Sequence, residues 1–308
     1  VNNSTYKTYF TFDGNGKTIT VNDVDSTDPI YGSTNDYAGL FGFVGNGTID
    51  AGVIIKNLTV AGTISSSTAE YVGGIVACAN GVTIENCVNN ATVQGSNPES
   101  GSAYSIAVGG IVGYAEGSCK VINSVNNGVV SNTNNANYSG TAGIVGLVAR
   151  YNVNIDNCIN LGNITGQDNV AGLVGYFDSS TANKTQVFIN KSINIGTIKA
   201  GAGGGVSAGI STVPTSYFNC TIKNCINMGN LGDSTVAGIC YDINENVEVS
   251  NCINVGGKEE GVTSYLAIDA SETEKMNNFY LSQELITNRG GTPKPTAELK
   301  TDAPFESW

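Results

Sequence analysis

Cysteine is the most reactive residue type in this sequence, and its placement limits the chemistry it could do. The chain has eight cysteines and no histidine. Without imidazole there is no Ser-His or Cys-His nucleophile pair, and most zinc and iron sites are excluded as well. Four cysteines each follow an asparagine in near-copies of NCINLGNITG: Cys87, Cys158, Cys225 and Cys252.

The copies of this segment indicate what its cysteine does. Ser124 and Ser192 occupy the cysteine position in two copies. A disulfide or a metal site would not tolerate serine there, whereas a small buried side chain would. We therefore predict a column of buried thiols. The other four cysteines fall outside this column, and a disulfide among them is an open alternative: Cys78, Cys119, Cys220 and Cys240.

Carboxylates offer two further kinds of chemistry. Asp23, Asp25 and Asp28 alternate within NDVDSTD, a spacing that suits calcium, although the segment lacks the glycine and glutamate of a recognised calcium loop. A solvated acidic loop is the alternative, and no cofactor is otherwise implied. Glu85, Asp156 and Glu248 are predicted to share one outward position, where a polysaccharide-active enzyme would need paired carboxylates.

Tyrosines could bind sugars by stacking. Four of them follow glycine tetrapeptides at similar offsets: Tyr114, Tyr151, Tyr176 and Tyr241. If they align, they form either a glycan-stacking platform or, as we favour, a ladder that stiffens the protein.

The elements that would position these residues come from an internal repeat. Asparagine segments begin at residues 57, 86, 123, 157, 191, 224, 251 and 278, so they lie 29, 37, 34, 34, 33, 27 and 27 residues apart. Within TIENCVNNATVQG, apolar residues alternate with period two but change phase once, at Asn86. The chain must bend there for both apolar sets to face inward. We predict an all-β fold, a single-stranded, right-handed parallel β-helix (β-solenoid) of about eight coils with three short strands each.

Asparagine suits the corner of such a coil because it tolerates a left-handed backbone and its amide both donates and accepts. Coils stack about 4.8 Å apart, so a column of corner amides could bond along the stack. The predicted structural ladder is formed by Asn86, Asn123, Asn157, Asn224 and Asn251, and we expect removal of Asn157 to leave buried amides unpaired.

Charge and composition narrow the partners. The formal net charge is −12, with only 14 lysines and arginines, so we expect neither nucleic acid nor an anionic membrane surface as a partner. No apolar run reaches the length of a membrane span, so no membrane insertion is expected. The repeat predicts a β-helix over residues 1–285 and a C-terminal cap or linker tail over 286–308.

The glycine tetrapeptides carry a family resemblance. GLFG from Gly39 and GLVG from Gly172, each followed by an asparagine segment, resemble the GLUG-motif repeat proteins over about residues 11 to 285. The resemblance implies a secreted or cell-surface location, beside other domains such as those of IgA-cleaving peptidases, and it brings no catalytic residues. We therefore predict a non-enzymatic, extracellular structural or adhesive rod, which binds a host or environmental glycan or glycoprotein or spaces another domain. The alternatives are a polysaccharide-active β-helix enzyme and a self-assembling fibre subunit.

Overall fold

The chain forms a parallel β-helix. The computed structural model describes residues 10–24, 37–45, 52–96, 106–133, 139–178, 185–201, 205–212, 218–232, 235–241 and 246–257, and three strands further on. Within them all regular elements are β-strands, arranged as one sheet of 21 strands and one of 11. Each strand pairs in parallel with the equivalent strand of the neighbouring coils, which confirms the predicted fold class.

The larger sheet has three segments per coil. The first two strands, Thr11–Val24 and Val53–Ser66, run through the corner, and Val53–Ser66 pairs with all three segments of the next coil. In later coils the segment before the corner contains Val82–Glu85, Cys119–Ile122, Val153–Asp156, Thr185–Asn190, Phe218–Lys223 and Val247–Ser250. The segment after the corner contains Val88–Asn89, Val125–Asn126, Ile159–Asn160, Ile193–Asn194, Ile226–Asn227, Ile253–Asn254 and Phe279–Leu281. The third segment contains Thr92–Gly95, Val130–Asn132, Ile164–Thr165, Ile198–Lys199 and Leu231–Gly232.

The smaller sheet holds the glycine tetrapeptides. Its long strands Tyr37–Gly45 and Tyr71–Asn80 run through the tetrapeptide, and in later coils a bend at the tetrapeptide divides the strand in two. The first parts are Ala107–Gly109, Gly140–Ala142, Asn169–Ala171, Val206–Ala208, Thr235–Ala237 and Ser264–Leu266, and the second parts are Val112–Glu116, Val145–Val148 and Val174–Phe177. A complete coil therefore has five short strands where three short strands were predicted, because the tight turns at glycine and asparagine interrupt the pairing.

The corner lies where the change of phase predicted it. Ile84 and Cys87 are both fully buried, and Asn86 between them has a left-handed backbone with φ of 52°. The equivalent residues Asn57, Asn123, Asn157, Lys191, Asn224 and Asn251 have φ between 50° and 55°. One left-handed residue turns the chain and lets the apolar residues on both sides of it face the same core.

Isoleucine and valine stack inside the coils. One column before the corner consists of Ile55, Ile84, Val121, Ile155, Ile189, Ile222 and Val249, in register from coil to coil. β-Branched side chains pack well on such pleated surfaces. At the far end, Thr292–Lys294 pairs with Phe279–Leu281, so a strand lies within the segment predicted as a tail. None of the described segments is a helix that could cross a membrane.

Candidate functional site

The principal polar feature of the interior is an asparagine ladder. It consists of Asn89, Asn126, Asn160, Asn194, Asn227 and Asn254, which are 0–2% exposed. The Nδ2 of each donates to the Oδ1 of the next across 2.8–2.9 Å. From Asn89 to Asn227, the same Nδ2 also donates to the main-chain carbonyl two residues further on. The ladder satisfies buried amides that would otherwise be costly.

In five of the coils, the glycine that opens the tetrapeptide packs against this ladder. A methyl group at Gly74 would lie 2.7 Å from Asn89 Oδ1, and one at Gly143 would overlap Asn160 Oδ1. Gly110, Gly172 and Gly209 meet their asparagines in the same way. Any side chain at these positions would displace the ladder. This contact explains physically why the tetrapeptide and the asparagine segment occur together in the sequence.

The predicted ladder at the corner is a different column, three residues earlier. Its amides also bond along the stack: Asn157 Nδ2 donates to Asn123 Oδ1 across 2.8 Å, and Asn251 to Asn224 across 3.3 Å. These side chains lie at the surface, however, and Asn157 is exposed. The expectation that losing Asn157 would leave buried amides unpaired is therefore wrong. Asparagine is used at this corner for its left-handed backbone, with only solvent-accessible amide bonds in addition.

The four repeat-equivalent cysteines are fully buried, and all eight cysteines are free thiols. Cys158 Sγ lies 3.4 Å from the carbonyl of Asp156, and Ser192 Oγ donates to the carbonyl of Asn190 across 2.7 Å. Serine and cysteine thus make the same contact with the residue two positions earlier. Burial raises the pKa of Cys87 to about 11 and that of Cys158 to about 12.

The four remaining cysteines are also buried in the core. Burial raises the pKa of the Cys119 thiol to about 12, and it raises those of Cys78 and Cys220 as well. All four are free thiols, so the structure contains none of the disulfides left open for them. Across the described residues, no three Cys, Asp or Glu side chains are grouped as a metal site would require.

The four tyrosines proposed for glycan stacking do not form one platform. Tyr114 and Tyr176 share a column, but Leu147 lies between them. Tyr241 is one residue out of that register, since Cys240 aligns with Ser211 and through it with Val174. Tyr151 lies at a different corner, 40% exposed, with φ of 69°.

Tyr114 instead stacks on Tyr71, with ring centroids 4.5 Å apart, and Tyr71 contacts Tyr37 at 5.9 Å. The Tyr114 hydroxyl donates to Glu116 Oε2 across 3.4 Å. Burial, and the neighbouring Glu116, raise the pKa of Tyr114. Both stacked rings are only partly accessible. This cluster fits the ladder interpretation better than a sugar platform.

The carboxylates are dispersed. Asp25 and Asp28 lie outside the described residues, and Asp23 is the next-to-last residue of the first strand. Glu85 and Asp156 share a column as predicted, but Glu248 lies two residues earlier in its strand, level with Thr221. The prediction that Glu248 shares this column is therefore wrong, because of the register in which the strand Val247–Ser250 pairs. Burial raises the pKa of Asp168, in another part of the coil, to about 6.

A groove on the outer face of the larger sheet was not predicted. It has a volume of about 590 Å³ and is lined by Asn154, Asp156, Phe188, Ile189, Asn190, Thr221, Lys223 and Glu248. Phe188 is 42% exposed. Lys223 Nζ pairs with Glu248 Oε1 at 2.8 Å, and Asn190 Nδ2 donates to Asp156 Oδ1 across 2.7 Å. The signal in the sequence that could have indicated this groove was Phe188, an aromatic residue at an outward strand position.

Comparison with known proteins supports the fold. No protein-family model matches the chain, and no curated protein matches it. A solved structure from Bacteroides ovatus, described as a putative immunoglobulin A1 protease, matches with a TM-score of 0.53 and 17% sequence identity. The match covers 92% of this chain and 80% of that one. At this identity the likeness establishes the shared architecture alone.

Proposed function

We propose that this protein is a non-catalytic, extracellular β-solenoid that serves as a structural rod and presents its outer face to a glycan or glycoprotein. One observation carries the proposal: the residues that recur from coil to coil are used in packing. The buried asparagines bond to one another, the glycines contact them, and the cysteines fill the core. Recurrent architecture of this kind builds an extended surface, and binding is left to the residues that differ between coils.

The absence of catalysis is supported by the thiols and by the missing imidazole. The Bacteroides ovatus protein is described as a putative protease, but this chain has no histidine with which to activate a serine or cysteine. Its eight thiols are buried, and a buried thiol with a raised pKa is a poor nucleophile.

The carboxylates also argue against sugar hydrolysis. Asp156 and Glu248 line one groove, but their strands are three coils apart, or about 14 Å at the usual strand spacing. Glycoside hydrolases hold their two carboxyl groups roughly 5–9.5 Å apart. Each carboxylate here also has a partner, Asn190 for Asp156 and Lys223 for Glu248.

An extracellular location is supported by the resemblance to GLUG-motif proteins and is compatible with the thiols. Oxidation of cysteine requires access and thiolate character. The buried cysteines offer neither, so a thiol-rich core can persist outside the cell.

Two measurements test the proposal. Small-angle X-ray scattering of the purified chain should give an elongated particle, and a compact envelope would contradict the rod. Incubation with immunoglobulin A1 and with a panel of polysaccharides should yield no cleaved heavy chain and no new reducing ends. Cleavage that is lost in Asp156→Asn or Glu248→Gln would instead establish an enzyme. Forward scattering divided by protein concentration should stay constant, and a rise in that ratio with concentration would favour the fibre alternative.

A further inference from the structure

One coil differs from the two adjacent coils at three neighbouring outward positions, of which only the corner position otherwise repeats the same residue along the stack. The strand Thr185–Asn190 carries Phe188 where the adjacent coils carry Asn154 and Thr221. It carries Asn190 where they carry Asp156 and Lys223, and Lys191 follows at the corner where they have asparagine. Packing does not require these changes, because all three side chains lie outside the core. Phe188 and Asn190 line the groove described above, and Lys191 directly follows Asn190.

Lys191 is kept at an energetic cost. Its φ is 50°, a left-handed conformation that asparagine and glycine tolerate and that lysine rarely adopts. The side chain is exposed and makes no ion pair with a described residue. Lys191 cannot supply the side-chain amide of a corner asparagine. Asn190 supplies it instead, since Asn224 Nδ2 donates to Asn190 Oδ1 across 2.8 Å. Strained residues of this kind concentrate at functional sites.

The groove presents an aromatic ring surrounded by polar groups. Phe188 is bordered along its column by Asn154 and Thr221, and the neighbouring column brings Asp156, Asn190 and Lys223 beside it. An exposed ring offers a flat apolar surface to the C–H face of a pyranose. Amide, hydroxyl and ammonium groups around it can donate to and accept from sugar hydroxyls.

We propose that this groove is an oligosaccharide-binding site, in which a pyranose ring of an uncharged glycan stacks on Phe188. The inference rests on the proposed non-catalytic function and specifies the ligand and the residues. Asn154 and Thr221 lie level with Phe188 in the coils on either side, Asn190 lies two residues further along its strand, and Lys191 follows at the corner.

The charges around the groove favour an uncharged glycan over a charged one. Lys223 is paired with Glu248, and the Asp156 carboxylate accepts a bond from Asn190 but keeps its negative charge. Among the residues that line the groove, the two carboxylates outnumber the one ammonium group of Lys223, and the whole chain carries a net charge of −12. An acidic sugar would therefore gain little attraction and would meet long-range repulsion.

The test uses the full chain on an array of neutral oligosaccharides of the cello-, xylo-, manno-, β-1,3-gluco- and desialylated mucin types, followed by calorimetric titration of the best ligand. Phe188→Thr adopts the residue of the next coil, so the fold should be kept while affinity falls about tenfold or more. Phe43→Thr removes an equally exposed ring from the other sheet and is the matched control, with affinity unchanged. Lys191→Asn restores the corner residue of the repeat, so it should raise the melting temperature and weaken binding.

The outcomes separate this site from the broader function. If no neutral glycan binds at millimolar concentration, or if Phe188→Thr binds as well as the parent, the proposed binding site is wrong. The proposal of a structural rod is then still decided by the scattering measurement. If only acidic glycans bind, and Lys191→Asn abolishes that binding, the choice of an uncharged ligand is wrong. Release of reducing sugar would overturn the non-catalytic function itself.

Discussion

Two columns of asparagine run along this protein, three residues apart in each coil, and they have different structural roles. The corner column, which includes Asn123 and Asn157, turns the chain with a left-handed backbone and bonds at the surface. The interior ladder, which includes Asn126 and Asn160, is fully buried and makes two bonds from each Nδ2. The same residue type thus provides backbone conformation in one column and a satisfied polar core in the other.

The sharpest test of this comparison is Asn160→Ala against Asn157→Ala. Removing the Asn160 amide takes away one of the two bonds of Asn126 Nδ2, and it leaves Asn194 Oδ1 and the Gly162 carbonyl without their ladder bonds in the core. We expect a loss of roughly 3–5 kcal/mol in the free energy of unfolding. Asn157→Ala should cost about 1 kcal/mol, mainly through the left-handed backbone. Both values come from urea denaturation, and equal losses would contradict the division between the columns.

A second test adds a methyl group beside the ladder. Gly143→Ala would bring a Cβ against Asn160 Oδ1 and against the Gly172 carbonyl, which is main chain and cannot move aside. We expect a destabilisation of about 1–3 kcal/mol. Gly42→Ala is the control, because its nearest atom is Tyr37 Cβ at 3.6 Å, an ordinary contact. If thermal unfolding shows the same midpoint for both variants, the glycine–asparagine packing has no energetic role.

A third test concerns a corner where asparagine is not used. Gly81, Gly117 and Tyr151 follow one another in successive coils with φ of 69°, 70° and 69°. A left-handed backbone costs tyrosine about 1–2 kcal/mol and glycine almost nothing, although glycine loses more entropy on folding. Tyr151→Gly should therefore stabilise the protein by about 0.5–1 kcal/mol in the same denaturation assay. A loss of stability would mean that the Tyr151 ring makes a contact that outweighs the strain.

The smallest energetic effect is expected for the thiols between the two columns. Cys158→Ser should cost no more than about 1 kcal/mol, because Ser124 and Ser192 make the equivalent bond in neighbouring coils. In the native protein, the pKa of about 12 leaves Cys158 a thiolate fraction on the order of 10⁻⁴ at pH 8. Mass spectrometry after iodoacetamide treatment should show labelling only under denaturing conditions. Rapid native labelling would place this cysteine outside the core.

Much of the fold was predictable because the same residue types recur at equivalent positions of successive coils. The change of phase at Asn86 located the asparagine corner of the coils, and the Ser124 and Ser192 replacements indicated that the cysteine position was buried. The interior ladder was missed although the alternation placed Asn89 on the same side as Cys87. A fully buried amide is expensive unless it is paired, and its pairing depends on the neighbouring coils, which one segment does not reveal.

The surface was less predictable for a related reason. Tyr114, Tyr151, Tyr176 and Tyr241 follow similar tetrapeptides, but their alignment depends on the register of each coil. Leu147 separates Tyr114 from Tyr176 within one column, Tyr241 is shifted by one residue, and Tyr151 lies at a different corner. Phe188 became notable only when Asn154 and Thr221 appeared beside it. Positions that differ between coils have no pattern from which their role can be deduced.

The interior ladder is finite. In the coil before Asn89 the equivalent residue is Val60, and in the coil after Asn254 it is Tyr280. Fibrils grow without limit when each added copy repeats the hydrogen bonds of the last, and stacked amides favour such growth. Here the amide series both starts and stops within one chain, so an arriving molecule meets a coil with no amide to extend. The sequence thus fixes the length of the ladder, and neither end of the ladder offers an amide with which a second molecule could continue the hydrogen bonds.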